Sequence, residues 1–108
     1  MGRTGLQEDL FLAIAHPIRR AVLEELRLQE RPATQLAARF QVTPSALSQH
    51  LKALKQAGLV TERRQGRQRI YSLRPAPLRE ISEWIDAFSK FWPDKLEALG
   101  NHLRRSKT

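Results

Sequence analysis

The sequence predicts a mainly α-helical domain that carries one small β-hairpin. Three observations lead there. Apolar residues recur every three or four positions over most of the chain, and prolines and glycines punctuate that pattern where helices would start and stop. Residues 59–73 abandon the helical period: Leu59 and Val60 open one strand, Ile70, Tyr71 and Leu73 mark another, and Gln65-Gly66 supplies the turn between them. Charge is also confined. Residues 31–74 hold nine of the nineteen Lys and Arg against one acid, Glu62, so this window alone carries the chain's net +8 and the flanks sum to zero.

The elements follow in order. Thr4-Gly5-Leu6-Gln7 has capping-box spacing, and Leu6, Leu10 and Ile14 continue it as a first helix to about Ala15, with Phe11 widening the apolar stripe. His16-Pro17 breaks the chain and restarts it, because proline is tolerated in the first turn of a helix and not in its interior. Ile18, Val22 and Leu26 mark the buried face of a second helix that fades near Gln29. Arg31-Pro32 reads as a short joint, and Leu36, Ala37 and Phe40 define a short third helix. Thr43 is suited to cap a fourth helix, with Pro44 at its first position and Gly58 as its stop. That helix buries Leu47, Leu51 and Leu54 and turns out Ser45, Ser48, Gln49, Lys52 and Gln56, a polar face without an acid. Pro75 and Pro77 end the hairpin. A last helical region from Leu78 to Leu103 follows, with Trp84, Phe88, Phe91 and Trp92 along it, and Pro93 is expected to kink or divide it near Trp92.

Composition narrows the function classes. At 108 residues the chain reads as one domain, with no room for a core plus a buried catalytic cleft. There is no cysteine, hence no disulfide framework and no thiolate metal site. No Gly-rich phosphate loop and no nucleophile in register with a histidine appears, so an enzyme is not expected. The N-terminus lacks the apolar run of a signal peptide or membrane span, and a cytoplasmic protein with no membrane contact is expected.

Two short helices joined by a tight turn and followed by a basic hairpin make a winged helix-turn-helix. An α-helix fits the major groove of B-DNA, where exposed side chains reach base edges. Ser45, Ser48 and Gln49 on the fourth helix suit base edges, and Lys52 suits the backbone. The wing arginines Arg63, Arg64, Arg67 and Arg69 suit phosphates or a narrow minor groove. A dimer neutralising about eight phosphates would lose affinity with salt at a log–log slope of roughly −7.

With these residues in view, the sequence resembles the ArsR-type winged-helix repressors. His16-Pro17-Ile18-Arg19-Arg20 is similar to that family's entry into the second helix. Residues 45–54 (SALSQHLKAL) resemble its recognition helix, while 55–60 (KQAGLV) and 63–67 (RRQGR) resemble its helix exit and wing. The likeness covers about residues 8–74. It implies a homodimeric repressor of a near-palindromic operator on double-stranded DNA, dimeric through its first and last helices. It adds His50 to Ser45, Ser48 and Gln49 as DNA contacts, and Thr43 at the helix start completes the expected set with Lys52 and the four wing arginines. Leu6, Leu10, Trp84, Ile85, Phe88, Trp92 and Leu96 are the expected dimer interface. The expected division is a helix-turn-helix over about 33–57, a wing over about 59–73 and dimerisation helices over about 4–15 and 77–105.

The chain departs from the family's metal sensors. It has no cysteine at the start of the third helix, and its last helix offers Asp86, Asp94 and only His102 near the end, short of the ligands a zinc site needs. No metal or cofactor is therefore expected, and the chain resembles the subgroup without metal ligands. His16 is expected to cap the second helix or pack at the bend, His50 to be half-buried or on a phosphate, and His102 to lie at the surface. Two alternatives to a plain repressor stay open: a winged-helix adaptor whose basic face meets an acidic protein, and a repressor gated by an organic ligand among the C-terminal aromatics.

Overall fold

Helix boundaries follow the punctuation in the sequence wherever that punctuation is local. The computed structural model describes the backbone of residues 2–92 and the side chains of residues 8–92. Helix α1 spans Gly2–Ala13 and α2 spans Pro17–Leu28. Thr4 lies inside α1, so the expected capping box does not start it. His16 does cap α2: its Nδ1 accepts the Ile18 N–H at 3.0 Å, and Pro17 occupies the first helical position. Two arginines of α2 bind carbonyls at and just past the end of α1. Arg19 Nη1 donates to Leu12 O at 3.2 Å and Arg20 Nη1 to Ile14 O at 2.8 Å, a favourable place for cations at a helix C-terminus.

Arg31-Pro32 is more than a joint. The pair forms strand β1, antiparallel to the second hairpin strand, β3 (Gln68–Leu73), through Arg31↔Tyr71 and Pro32↔Ile70, so the hairpin, whose first strand is β2 (Val60–Gln65), gains a third strand in the order β1-β3-β2. Proline fixes its own φ and keeps the preceding residue extended, and an edge strand tolerates its missing N–H. A two-residue strand has no periodicity to read, so sequence pattern does not reveal it.

Helix α3 (Ala33–Phe40) and helix α4 (Pro44–Gln56) are joined by a turn in which Gln41 takes the left-handed conformation, φ 54°. Gln41 N–H bonds Ala38 O and Val42 N–H bonds Ala37 O, the paired bonds that close a helix C-terminus. Gly58 (φ 77°) closes α4 the same way: its N–H bonds Lys55 O, and Leu59 N–H bonds Leu54 O. Strands β2 (Val60–Gln65) and β3 (Gln68–Leu73) pair from Val60↔Leu73 to Gln65↔Gln68. That register leaves a two-residue turn, Gly66-Arg67, one residue later than the sequence suggested. Gly66 has φ 64° and Arg67 is not left-handed, a combination that needs glycine at the first turn position.

One core joins these parts. Val22 and Leu26 from α2, Leu36 from α3, Leu47, Leu51 and Leu54 from α4, and Leu59, Val60 and Tyr71 from the sheet are buried together. Leu10 belongs with them at 1% exposure, which corrects its expected place in a dimer interface: α1 uses Leu10 and Ala13 to seal its own chain's core.

Helix α5 (Leu78–Asp86) stops well before Pro93, and a single 3₁₀ turn, Ser89–Phe91, follows. The proline is therefore not what ends it. No α5 residue is fully buried, and a short helix draws most of its stability from packing. Leu96, Leu99, His102 and Leu103 lie outside the described residues. Among those described, no helix is long and apolar enough to cross a membrane.

Candidate nucleic-acid interface

Helix α4 is fixed at both ends and along one side. Thr43 Oγ1 accepts the Ala46 N–H at 3.0 Å, Pro44 presets the first turn, and the Gly58 closure fixes the exit. Burial of Leu47, Leu51 and Leu54 sets the helix's rotation, because residues three and four apart share a face. Ser45, Ser48, Gln49 and Lys52 are consequently exposed together, with Gln56 one turn on. Thr43 is exposed too, but its oxygen already serves the cap.

The wing arginines fall into two kinds. Arg63 grips Glu30 with both terminal nitrogens, at 2.6 and 2.7 Å, and Ser72 Oγ donates to the same carboxylate at 3.2 Å. Arg69 lies 3.6 Å from Glu62, which also accepts the Tyr71 hydroxyl at 3.0 Å and the Lys55 ammonium from α4. These bonds hold both carboxyls below the usual carboxylate range, the Arg63 bond acting most strongly on Glu30 and the Lys55 bond on Glu62. Glu30 thus ties β2 and β3 to the end of α2, while Glu62 ties the wing to the exit of α4. Exposed pairs of this kind add little stability, but they restrict where the hairpin lies. Arg64 and Arg67 have no carboxylate partner among the described residues.

The same sorting applies to the rest of the cationic window. Glu25 from α2 pairs with Arg31 at 3.5 Å and with Arg39 at 3.4 Å. Of the basic residues on or beside α4 and the hairpin tip, Lys52, Arg64 and Arg67 are without such a partner among the described residues. Sequence distance hid this, because Glu25 and Glu30 lie outside the basic window that they neutralise.

His50 is half-buried on the flank of α4, with its Nδ1 accepting from Arg19 Nε at 3.2 Å. Burial, followed by the nearby His16 and Arg19, lowers its pKa below the ordinary 6.5, so the ring is neutral at physiological pH. Sequence reading placed His16 at the bend and His50 on the reader helix but missed that the two rings meet, with centroids 4.4 Å apart.

A different surface lies along α1 and α5. Trp84 is 55% exposed and Phe91 71%, with Ile85, Phe88 and Leu12 exposed alongside. Phe11 and Trp84 meet edge to face at 5.3 Å, and Trp84 and Phe88 at 5.0 Å, so the rings form one continuous strip. Phe91, named with these rings from the sequence, is exposed on the 3₁₀ turn after α5, and Leu12, not singled out from the sequence, is exposed on α1. Trp92 is half-buried, and the side chains of Leu6 and Leu96 lie outside the described residues. Among the described residues no three of His, Cys, Asp or Glu gather as a metal site.

A capped helix with an acid-free, hydrogen-bonding outer face, set beside a sheet-anchored basic hairpin, defines the class: a winged helix-turn-helix regulator that acts on double-stranded DNA. Comparison with known proteins carries this to a family. A helix-turn-helix domain family matches residues 14–63. The transcriptional repressor SdpR of Bacillus subtilis is 32% identical over 77 residues, covering 71% of this chain and 86% of that protein. The repressor SmtB of Mycobacterium tuberculosis is 40% identical over 73 residues, 68% of this chain but 54% of SmtB, so this chain spans about half of that relative. A crystal structure of an ArsR family transcriptional regulator superposes with TM-score 0.76 at 26% identity, covering 82% of this chain and 92% of that one. The chain belongs to the ArsR-type transcriptional regulators, DNA-binding proteins and not enzymes.

Proposed function

We propose that the protein is a cytoplasmic homodimeric repressor that binds a near-palindromic operator and occludes a promoter. The observation that carries this reading is the face of α4: Ser45, Ser48 and Gln49 stand exposed together on a helix whose ends are independently fixed. Gln49 reads a base, since its amide offers a donor and an acceptor side by side. Ser45, Ser48 and the exposed Thr43 make shorter contacts at the groove edge, and Lys52 neutralises the backbone. Arg64 and Arg67 reach phosphate or the minor groove from the wing. Arg63 and Arg69 act indirectly, by holding the wing at a set distance from α4 through Glu30 and Glu62. The subunits pair across Trp84, Ile85, Phe88 and Phe91, with Leu12 from α1. Two-fold pairing sets the reader helices about 34 Å apart, one turn of DNA.

Selection of bound duplexes from a random pool tests this directly. The expected product is two inverted half-sites one helical turn apart, and a pool that enriches nothing would sink the proposal. On the selected site, Gln49→Ala should cost about 1–3 kcal/mol, with a much smaller loss on unrelated DNA. Equal losses on both would make Gln49 a backbone contact.

A further inference from the structure

His16 and His50 lie far apart in the chain, yet each imidazole is held through the same ring nitrogen. The Ile18 N–H donates to His16 Nδ1 at 3.0 Å, and the Arg19 Nε–H donates to His50 Nδ1 at 3.2 Å. A backbone amide and a guanidinium only donate, so both Nδ1 atoms must be unprotonated acceptors. In the neutral rings the proton therefore sits on Nε2 of each. His16 is exposed, and His50 Nε2 has no protein partner among the described residues and is not among the buried unpaired atoms. Ring centroids 4.4 Å apart bring the two Nε2 atoms within about 7 Å of each other, a span that one phosphate with two ordinary hydrogen bonds covers.

The surroundings favour an anion. Arg19 bonds a backbone carbonyl of α1 and Arg20 one just past it, and neither has a carboxylate partner among the described residues. The N-terminus of α2, with its partial positive charge, opens at the same corner. Resting on the operator-binding reading above, we propose that His16 and His50 together donate two Nε2–H bonds to one backbone phosphate of bound DNA, with Arg19 as the positioning residue that sets the His50 tautomer. The site would grip the strand on the α2 side of the reader helix, away from the wing.

Asparagine tests this without disturbing the inner bonds, because its amide oxygen replaces Nδ1 as acceptor while the outer donor is lost. Each of His16→Asn and His50→Asn should weaken binding by about three- to tenfold, on selected and unrelated duplexes alike. His50→Gln, which restores an outer donor, should recover part of the loss. The decisive measurement is a scan of the selected operator with neutral methylphosphonate at one backbone position at a time. Wild-type protein should show a penalty at one phosphate per half-site that disappears in the double asparagine variant, while all other penalties remain. A folding defect would instead lower Tm and reduce binding without abolishing one position's penalty. Long-range nitrogen–proton spectra should show both rings as Nε2–H tautomers, with the Nδ1–H form of His50 appearing in Arg19→Gln. An unchanged scan in the double variant, or Nδ1–H rings in the wild type, overturns the proposal even if Gln49→Ala behaves as expected. If wild-type protein enriches no duplex, the operator reading itself has failed.

Discussion

The α4–wing face and the α1–α5 face of this protein end in opposite surface chemistry. On the first, the leucines point inward, and Ser45, Ser48, Gln49, Lys52, Arg64 and Arg67 point outward. On the second, the core already closes on Leu10 and Ala13, yet Trp84, Ile85, Phe88 and Phe91 still stand in water. An outward surface of amides, hydroxyls and cations is finished without another protein and complements nucleic acid. A continuous aromatic strip is unfinished, because burying such rings against a second protein surface releases their hydration. One molecule thus presents a surface suited to DNA and another suited to a second protein surface.

The largest expected effect bears on the aromatic face. Trp84→Ala combined with Phe88→Ala should remove about 4 kcal/mol or more of subunit association. Sedimentation should then show monomers, and operator affinity should drop by about a hundredfold or more once the half-sites are no longer engaged together. A variant that remains dimeric would place the interface elsewhere. Next in size is the salt dependence. Counting only Lys52, Arg64 and Arg67 in each subunit gives about six phosphates per dimer and a slope near −5, shallower than the −7 suggested by sequence charge. Arg67→Ala should bring it to about −4, and a slope that does not move would take the wing tip off the DNA.

Acidity probes the histidine corner between the two faces. His50 is held below the ordinary 6.5, chiefly by burial, so the unfolded chain takes up its proton first as pH falls. Stability is therefore full above pH 6.5 and declines as pH drops through the folded-state pKa, and urea titrations should show the decline flattened in His50→Gln. Glu30 and Glu62, both lowered from 4.5, produce a separate loss at more acid pH. The smallest effect belongs to the turn before the reader helix. Gln41 adopts φ 54°, where a side chain is strained, so Gln41→Gly should raise stability by about 0.5–1 kcal/mol in a denaturant titration. A loss there would mean that the Gln41 side chain contributes more than its strain costs.

What was legible in the sequence was what a few neighbouring residues settle among themselves. Thr43, Pro44 and Gly58 bounded α4 correctly, and the spacing of Leu47, Leu51 and Leu54 gave its outer face, because capping bonds and helical period act within a turn or two. The expected hairpin was found, with its turn displaced by one residue. Harder to read was Leu10, whose helical spacing suits a core and an interface equally well.

The sequence by itself determined the order of the elements, the hydrogen-bonding chemistry of the reader helix and the confinement of charge. Tertiary structure decided which cations remain free, by bringing Glu25 and Glu30 from the flank against Arg31, Arg39 and Arg63. It also gave the hairpin its third strand, ended α5 at Asp86 and set His16 against His50. The physical reason is range: a cap or a helical stripe depends on residues a few positions apart, whereas ion pairing, strand addition and ring contact depend on segments that only folding brings within a few ångströms.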